Sequence, residues 1–137
     1  MSRGKLNMAG GLLFLAAFMA YGFILIWLRD FAPGKEQWVA DYAIGEHFEA
    51  RLAHVHGNLF ALLNVLIGYL VWKLPIDPIS AKWVSWLAFG GMLMPVGILA
   101  ELLFGAPPYL VLVGAVMIVV AMAWLGFAVW RTRLSVN

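Results

Sequence analysis

The sequence predicts an all-α membrane protein, a single bundle of four transmembrane helices, and three observations lead to that fold class. Hydrophobic residues make up 64% of the 137 residues and charged residues only 12%, against roughly 25% in an average soluble domain. Four uncharged stretches reach the length of about 20 residues that a helix needs to cross a bilayer core. No stretch alternates like a membrane β-strand, so helices are left to satisfy the backbone polar groups in lipid.

The four predicted helices cover residues 8–28, 52–72, 83–100 and 109–130. The first is too long for the apolar core of a signal peptide, so we expect it to remain as a helix. No repeat or low-complexity linker divides the chain, which predicts one domain over residues 1–137. Cysteine is absent, which excludes disulfides, thiolate ligands and cysteine nucleophiles. The net charge of +2 lacks the clustered basic face of a nucleic-acid-binding protein.

The basic residues predict the orientation of the bundle. Six of them lie in three segments that four crossings place on one side of the membrane, where the only acid is Asp77: Arg3, Lys5, Lys73, Lys82, Arg131 and Arg133. The other side carries three basic residues and five acids. The positive-inside rule therefore predicts that both termini are cytoplasmic, in a membrane of the bacterial inner-membrane type. Trp72, Trp83 and Trp130 then lie together at the inner interface, as an aromatic belt does.

The long first outer connection, residues 30–51, mixes aromatic residues with acids in "PGKEQWVADYAIGEHFEARL". Connections of this length without secondary structure are usually functional or disordered. We therefore expect an interfacial or capping segment over the outer end of the bundle.

Two kinds of residue predict how the helices pack. Pro95, inside the third predicted helix, removes one backbone hydrogen bond and should kink that helix. Small residues let membrane helices approach closely, and five glycines are predicted to do so: Gly10, Gly11, Gly90, Gly91 and Gly97.

Ionisable residues inside the predicted helices are the candidates for function. His54 and His56 open the second helix, and Glu101 lies near the outer end of the third, all in the outer leaflet. Such residues are costly in a membrane and mark functional sites by default. The alternative is structural, since a histidine near the interface can reach the headgroups and Glu101 lies close to a helix end. That alternative corresponds to a helper subunit that binds no cofactor.

The spacing of the two histidines restricts the chemistry. Residues two apart on a helix point about 200° apart, so His54 and His56 cannot both bind one metal ion. His47, in the loop, is the only other imidazole. A dinuclear metal centre needs several inward histidines and carboxylates, which the first and fourth helices do not offer. A single axial imidazole suffices for haem, because the porphyrin supplies the other four ligands.

Several stretches resemble a known family. "EARLAHVHGN" resembles the haem-ligand helix of the styrene oxide isomerases, small four-helix membrane proteins that hold haem b between the subunits of a trimer. "KLNMAGGLLFLAAFMAYGFILIW" resembles the first helix of that family, and "DPISAKW" and "MPVG" have counterparts around its third helix. "ARLAHVHGNL" also resembles one helix of the nitric oxide reductase branch of the haem-copper oxidases, but this chain is far too short for a catalytic oxidase subunit.

The isomerase resemblance implies a haem b cofactor, a homotrimer and a small apolar epoxide as substrate. Ferric haem acts in that family as a Lewis acid that converts the epoxide to a carbonyl compound. Chain order and the distance to Pro75 favour His56 as the iron ligand, whereas "RLAH" alone favours His54; Asn58 is assigned to the cofactor site beside them. The alternative function is a non-catalytic haem b subunit for electron transfer or sensing.

The catalytic residues carry over less well. Asn64 is the nearest match to an asparagine about two turns beyond the family's haem ligand, and we assign it and Glu101 as catalytic. The family's acid and tyrosine on the third helix fall on apolar or glycine positions here, around "FGGMLMPVGIL". Glu101 and Tyr109 lie further along the chain and do not replace them cleanly. The resemblance therefore implies haem binding more strongly than it implies a substrate.

Overall fold

The protein is described by a computed structural model over residues 3–132, and in that range all regular structure is helical. The six helices are α1 (Arg3–Asp30), α2 (Lys35–Ala40), α3 (Gly45–Lys73), α4 (Pro78–Gly91), α5 (Leu93–Phe104) and α6 (Tyr109–Arg131). Four segments are long and apolar enough to cross a membrane: Gly4–Asp30, Gly45–Lys73, Pro78–Phe104 and Tyr109–Arg131. The predicted four-helix membrane bundle is therefore confirmed, and the even number of crossings places both ends on one side.

The helices extend beyond the predicted uncharged stretches, because a helix can continue past the hydrocarbon layer into water. The second crossing begins at Gly45 rather than at 52. Its first turns carry Glu46, Glu49 and Arg51, which a helix accommodates outside the hydrocarbon layer. Glu46 in the first turn and Lys73 in the last also complement the helix dipole.

The third crossing is broken, as Pro95 predicts. α4 ends at Gly91 and α5 begins at Leu93, with Met92 between them. Proline has no N–H to donate to the carbonyl four residues earlier, which here belongs to Gly91. The carbonyl that loses its usual donor is therefore that of Gly91, the last residue of α4.

The start of α4 is fixed by a side-chain cap. The Asp77 carboxylate accepts hydrogen bonds from the backbone N–H of Ile79 at 3.1 Å and of Ser80 at 2.9 Å. Proline follows at the first helical position, where its missing donor costs nothing. The hydrogen bonds from Ser80 above all hold the pKa of Asp77 below its usual value.

α3 lies at the centre of the bundle. α1 packs along one side of α3, and α4 and α5 pack on another side. α6 packs against α4 and α5. The buried core lies between α3, α4 and α6 and consists of Phe60, Ile67, Val84, Ala88, Ile118, Ala121 and Leu125.

Glycines bring the helices into close contact. A Cβ at Gly11 would lie 2.8 Å from the carbonyl oxygen of Ala61, and one at Gly97 would lie 2.8 Å from the backbone nitrogen of Val111. The prediction of close helix approach is confirmed at Gly11, Gly91 and Gly97, where an added Cβ would meet backbone or Cβ atoms of the next helix. At Gly10 and Gly90 it would meet only the ends of the Phe89 and Met117 side chains. Gly68, which was not singled out from the sequence, marks a further close contact between α1 and α3; a Cβ there would lie 2.6 Å from the carbonyl oxygen of Gly4.

Three buried polar side chains join α1, α3 and α4. Asn7 Nδ2 donates to Asn64 Oδ1 at 3.0 Å and to the Ser85 carbonyl at 3.1 Å. The Ser85 hydroxyl in turn donates to Asn7 Oδ1. Asn64 Nδ2 donates to the carbonyls of Phe60 at 3.0 Å and Ala88 at 2.9 Å. Asn7 and Asn64 are both 0% exposed, so this polar network is satisfied within the protein.

Asn64→Leu is expected to destabilise the bundle. It removes the acceptor of Asn7 and the donor to Ala88, and unsatisfied buried polar groups cost about 1–3 kcal/mol. Thermal unfolding in detergent measures the change. Asn58→Leu is the matched control, because the only hydrogen bond of Asn58 within residues 3–132 goes to the His54 carbonyl of its own helix. Equal melting temperatures for the two variants would contradict this role of the network.

The predicted orientation has its own test. Arg133, one of the basic residues counted above, lies outside the described residues; the prediction depends on the whole charge distribution. A reporter fused after Asn137 that is active only in the cytoplasm should be active. Activity of a reporter that works only outside the cytoplasm would overturn the orientation and move the histidines to the other leaflet.

Candidate functional site

His56 is held by a backbone carbonyl of its own helix. Its Nδ1 lies 2.9 Å from the carbonyl oxygen of Leu52. A carbonyl oxygen only accepts, so this contact requires a proton on Nδ1 and is compatible with the neutral tautomer whose Nε2 carries the lone pair. No other hydrogen bond to this ring occurs within residues 3–132. A metal-binding histidine is oriented in this way, with one nitrogen donating to a carbonyl and the other facing the metal.

The surroundings of His56 are apolar and partly open. The ring is partly buried and meets the edge of Phe60, with ring centroids 5.8 Å apart. The same helix carries an apolar ridge that is exposed in the single chain and is centred roughly 90° round the helix from His56; it consists of Val55, Leu59, Leu62 and Leu66.

His54 faces the opposite side of α3, against α1. A Cβ at Gly22 would lie 2.8 Å from His54 Nε2, so only glycine leaves room for the imidazole there. The Tyr21 ring lies beside it, with centroids 6.1 Å apart. No hydrogen bond to the His54 ring occurs within residues 3–132. The prediction that the two histidines face different surroundings is confirmed.

A cavity of about 670 Å³ lies between the outer halves of α1 and α3, and we call it the outer groove. His54 and Asn58 both line it, together with Arg51. The Asn58 amide donates to the His54 carbonyl at 2.8 Å. The structure thus brings two of the predicted cofactor residues together, and His56 does not line the same cavity.

The residues predicted to be catalytic lie far from each other. Asn64 is eight residues beyond His56 on one helix, about 12 Å along its axis. It contacts Ala88, whereas Glu101 lies 13 residues further along the broken third crossing, about 20 Å away at the same rise. The Asn64 amide is already occupied by protein groups, so its contact with a substrate stays a prediction.

Glu101 occupies the outer end of α5. Its side chain is partly buried, and Oε1 has no hydrogen-bond partner within residues 3–132. Its carbonyl accepts from the Gly105 N–H at 2.9 Å, which helps to end the helix. A buried carboxyl oxygen without a partner is uncommon, and Glu101 therefore remains a candidate for a functional role.

The outer connection contains α2 and packs against α1 and the first turns of α3, while a cap over the whole end of the bundle stays a prediction. His47 stacks on Trp38 with ring centroids 4.4 Å apart and meets the edge of Tyr42 at 5.3 Å. His47 Nδ1 also forms a hydrogen bond with the Trp38 carbonyl. Arg51 lies over the Tyr42 ring, 3.5 Å from its centroid, and donates to the Tyr42 carbonyl at 2.9 Å. Sequence reasoning gave His47 no role, and the alternation of aromatic and charged residues around it was the available signal.

Residues 3–132 contain no group of three or more histidine or acidic side chains that could hold a metal ion.

Comparison with protein-family models, with curated proteins and with solved structures finds no match to this chain. The likeness to the styrene oxide isomerases accordingly depends on the residues quoted above.

Proposed function

We propose that this protein binds haem b in the membrane and that His56 Nε2 is the axial ligand of the iron. The observation that carries the proposal is the hydrogen bond from His56 Nδ1 to the Leu52 carbonyl. It fixes the tautomer and the ring orientation that a metal-binding imidazole needs. His54 has no such partner and directs Nε2 towards Gly22, so the geometry favours His56 of the two.

The donor set fits haem better than a bare metal ion. Porphyrin brings four nitrogen ligands, so one imidazole from the protein is enough. A flat apolar macrocycle would lie partly on the exposed ridge of α3, which comes nearest to His56 at Leu59, three residues further along; the ridge consists of Val55, Leu59, Leu62 and Leu66. Burial against such a surface stabilises binding by roughly 25 cal/mol per Å².

Four short helices cannot surround a whole haem, and so we propose a homo-oligomer with haem between subunits. The resemblance to the isomerases favours a trimer. Mass measurement in mild detergent should give a haem-loaded oligomer. A haem-loaded monomer as the only species would contradict the proposal.

The proposed activity is isomerisation of a small epoxide to an aldehyde or ketone. Bound ferric haem b supplies a Lewis acid for the epoxide oxygen. The protein's own contribution is to fix the His56 ring through Leu52 and to surround the site with apolar side chains that exclude water. Of the two residues predicted to be catalytic, Asn64 and Glu101, only Glu101 has a side-chain oxygen without a hydrogen-bond partner within residues 3–132. We propose that this oxygen forms a hydrogen bond with the substrate.

A second candidate function is a non-catalytic haem b subunit for electron transfer or sensing. The hydrogen bonds of the Asn64 amide to Asn7 and to the Ala88 carbonyl favour this second function. They leave the amide without a free group to contact a substrate. Both candidates require haem, and they differ in the coordination of the iron.

The optical spectrum of the purified protein, combined with an epoxide isomerisation assay, tests the proposed function. A high-spin five-coordinate ferric spectrum with turnover of a small aryl epoxide supports the isomerase. A low-spin, readily reduced spectrum without turnover supports the electron-transfer subunit. Absence of a Soret band from protein made in haem-replete cells would contradict both and leave a structural subunit without haem.

A further inference from the structure

The outer groove is apolar along α1 and opens sideways. Met19, Phe23 and Ile26 line it and are 59%, 72% and 44% exposed. All three belong to the first membrane-crossing segment. Exposed apolar side chains at that depth contact lipid chains, so the groove is accessible from the bilayer.

The charge of the groove has one sign. Its lining includes two arginines and two histidines but no aspartate or glutamate. Arg29 is neutralised by Asp30, with Nη2 2.7 Å from Oδ2. Arg51 has no carboxylate within ion-pair distance in the range 3–132. The groove therefore offers one uncompensated guanidinium beside an apolar wall.

Arg51 is held in place for binding an anion. One nitrogen donates to the Tyr42 carbonyl at 2.9 Å, and the guanidinium lies 3.5 Å from the centroid of the Tyr42 ring. A guanidinium has five N–H donors, and within residues 3–132 the guanidinium of Arg51 forms only one hydrogen bond. The remaining donors have the planar arrangement that matches a phosphate group.

We propose that the outer groove binds one anionic phospholipid, with an acyl chain along Met19, Phe23 and Ile26 and the phosphate on Arg51. A zwitterionic lipid also has a phosphate, but the groove has no acid to pair with its ammonium group. This site is separate from the proposed haem position, because His54 and His56 point about 200° apart on α3.

The opposite end of the bundle provides a matched control. Arg131 also lies over an aromatic ring, 4.2 Å from the centroid of Phe127. It lines a cavity that contains Asp77, so that cavity has charges of both signs. Arg131→Gln should therefore change the charge of the protein as Arg51→Gln does without affecting the lipid preference of the groove.

Native mass spectrometry of the purified oligomer, with phosphatidylglycerol and phosphatidylcholine in competition, tests the proposal. The unmodified protein should retain one phosphatidylglycerol per chain. Arg51→Gln should weaken that preference roughly tenfold, because hydrogen bonds between charged groups are strong. Arg51→Lys should keep part of the preference and Arg131→Gln all of it.

Three results would overturn the proposal. One is an unmodified protein without preference for phosphatidylglycerol, which decides the matter even if the Arg51 variants fail to fold. Another is displacement of the lipid by oleate at equal concentration, which would identify a fatty-acid site. The third is loss of haem rather than of lipid in Arg51→Gln, which would assign the arginine to the haem carboxylates.

Discussion

His56→Ala is expected to purify with little or no haem b, whereas His54→Ala keeps most of it. The imidazole provides the principal bond from protein to iron, and of the two histidines inside the crossing helix only His56 has a ring nitrogen held by a carbonyl, that of Leu52. His54 packs against Gly22, so its loss should loosen the packing of α1 on α3. The ratio of Soret absorbance to protein concentration measures haem content in both variants.

The two alanine variants serve as controls for each other because they lie two residues apart on one helix. Loss of haem in His54→Ala with full retention in His56→Ala would reverse the assignment and place the cofactor in the outer groove. Full retention in both would remove this site altogether.

Gly68→Val is expected to disrupt the packing of α1 against α3. A Cβ at Gly68 would lie 2.6 Å from the Gly4 carbonyl oxygen and 2.8 Å from the Met8 nitrogen. Both are backbone atoms, so the clash cannot be relieved by a rotamer change and the helices must separate. Overpacking costs typically 1–3 kcal/mol, and we expect a loss of about 3 kcal/mol or more because the whole contact shifts. Thermal unfolding in detergent measures the loss.

Gly126→Val is the matched control for this substitution. Gly126 also lies inside a crossing helix, but a Cβ there meets nothing within 4 Å. Its melting temperature should stay close to that of the unmodified protein. Equal melting temperatures for Gly68→Val and Gly126→Val would contradict the packing of α1 on α3 described above.

The number of membrane-crossing segments follows from the sequence because the length of an apolar stretch is a local property. The break between Gly91 and Leu93 follows for the same reason, since Pro95 removes a hydrogen bond within four residues of itself. The first residue of α3 could not be predicted from the apolar stretch, because the helix also includes charged residues such as Glu46 and Arg51. The charged residues therefore marked where the uncharged stretch begins, at residue 52, and not where α3 begins, at Gly45.

Less of the candidate site could be predicted. Helical periodicity alone places His54 and His56 on different sides of α3, and the structure agrees. The network of Asn7, Asn64 and Ser85 depends on the register between α1, α3 and α4. Asn7 is 57 residues from Asn64 and 78 residues from Ser85 in the chain. A single sequence does not contain that register. Asn64 was therefore interpreted from its neighbours in the sequence, whereas its partners lie on α1 and α4.

The haem content of the purified protein tests the central claim most directly. Protein made in haem-replete cells and purified in mild detergent should show a Soret band with close to one haem b per chain. That band should disappear in His56→Ala prepared in parallel. Unmodified protein that is folded and oligomeric but shows no Soret band, even after incubation with haemin, would contradict the account.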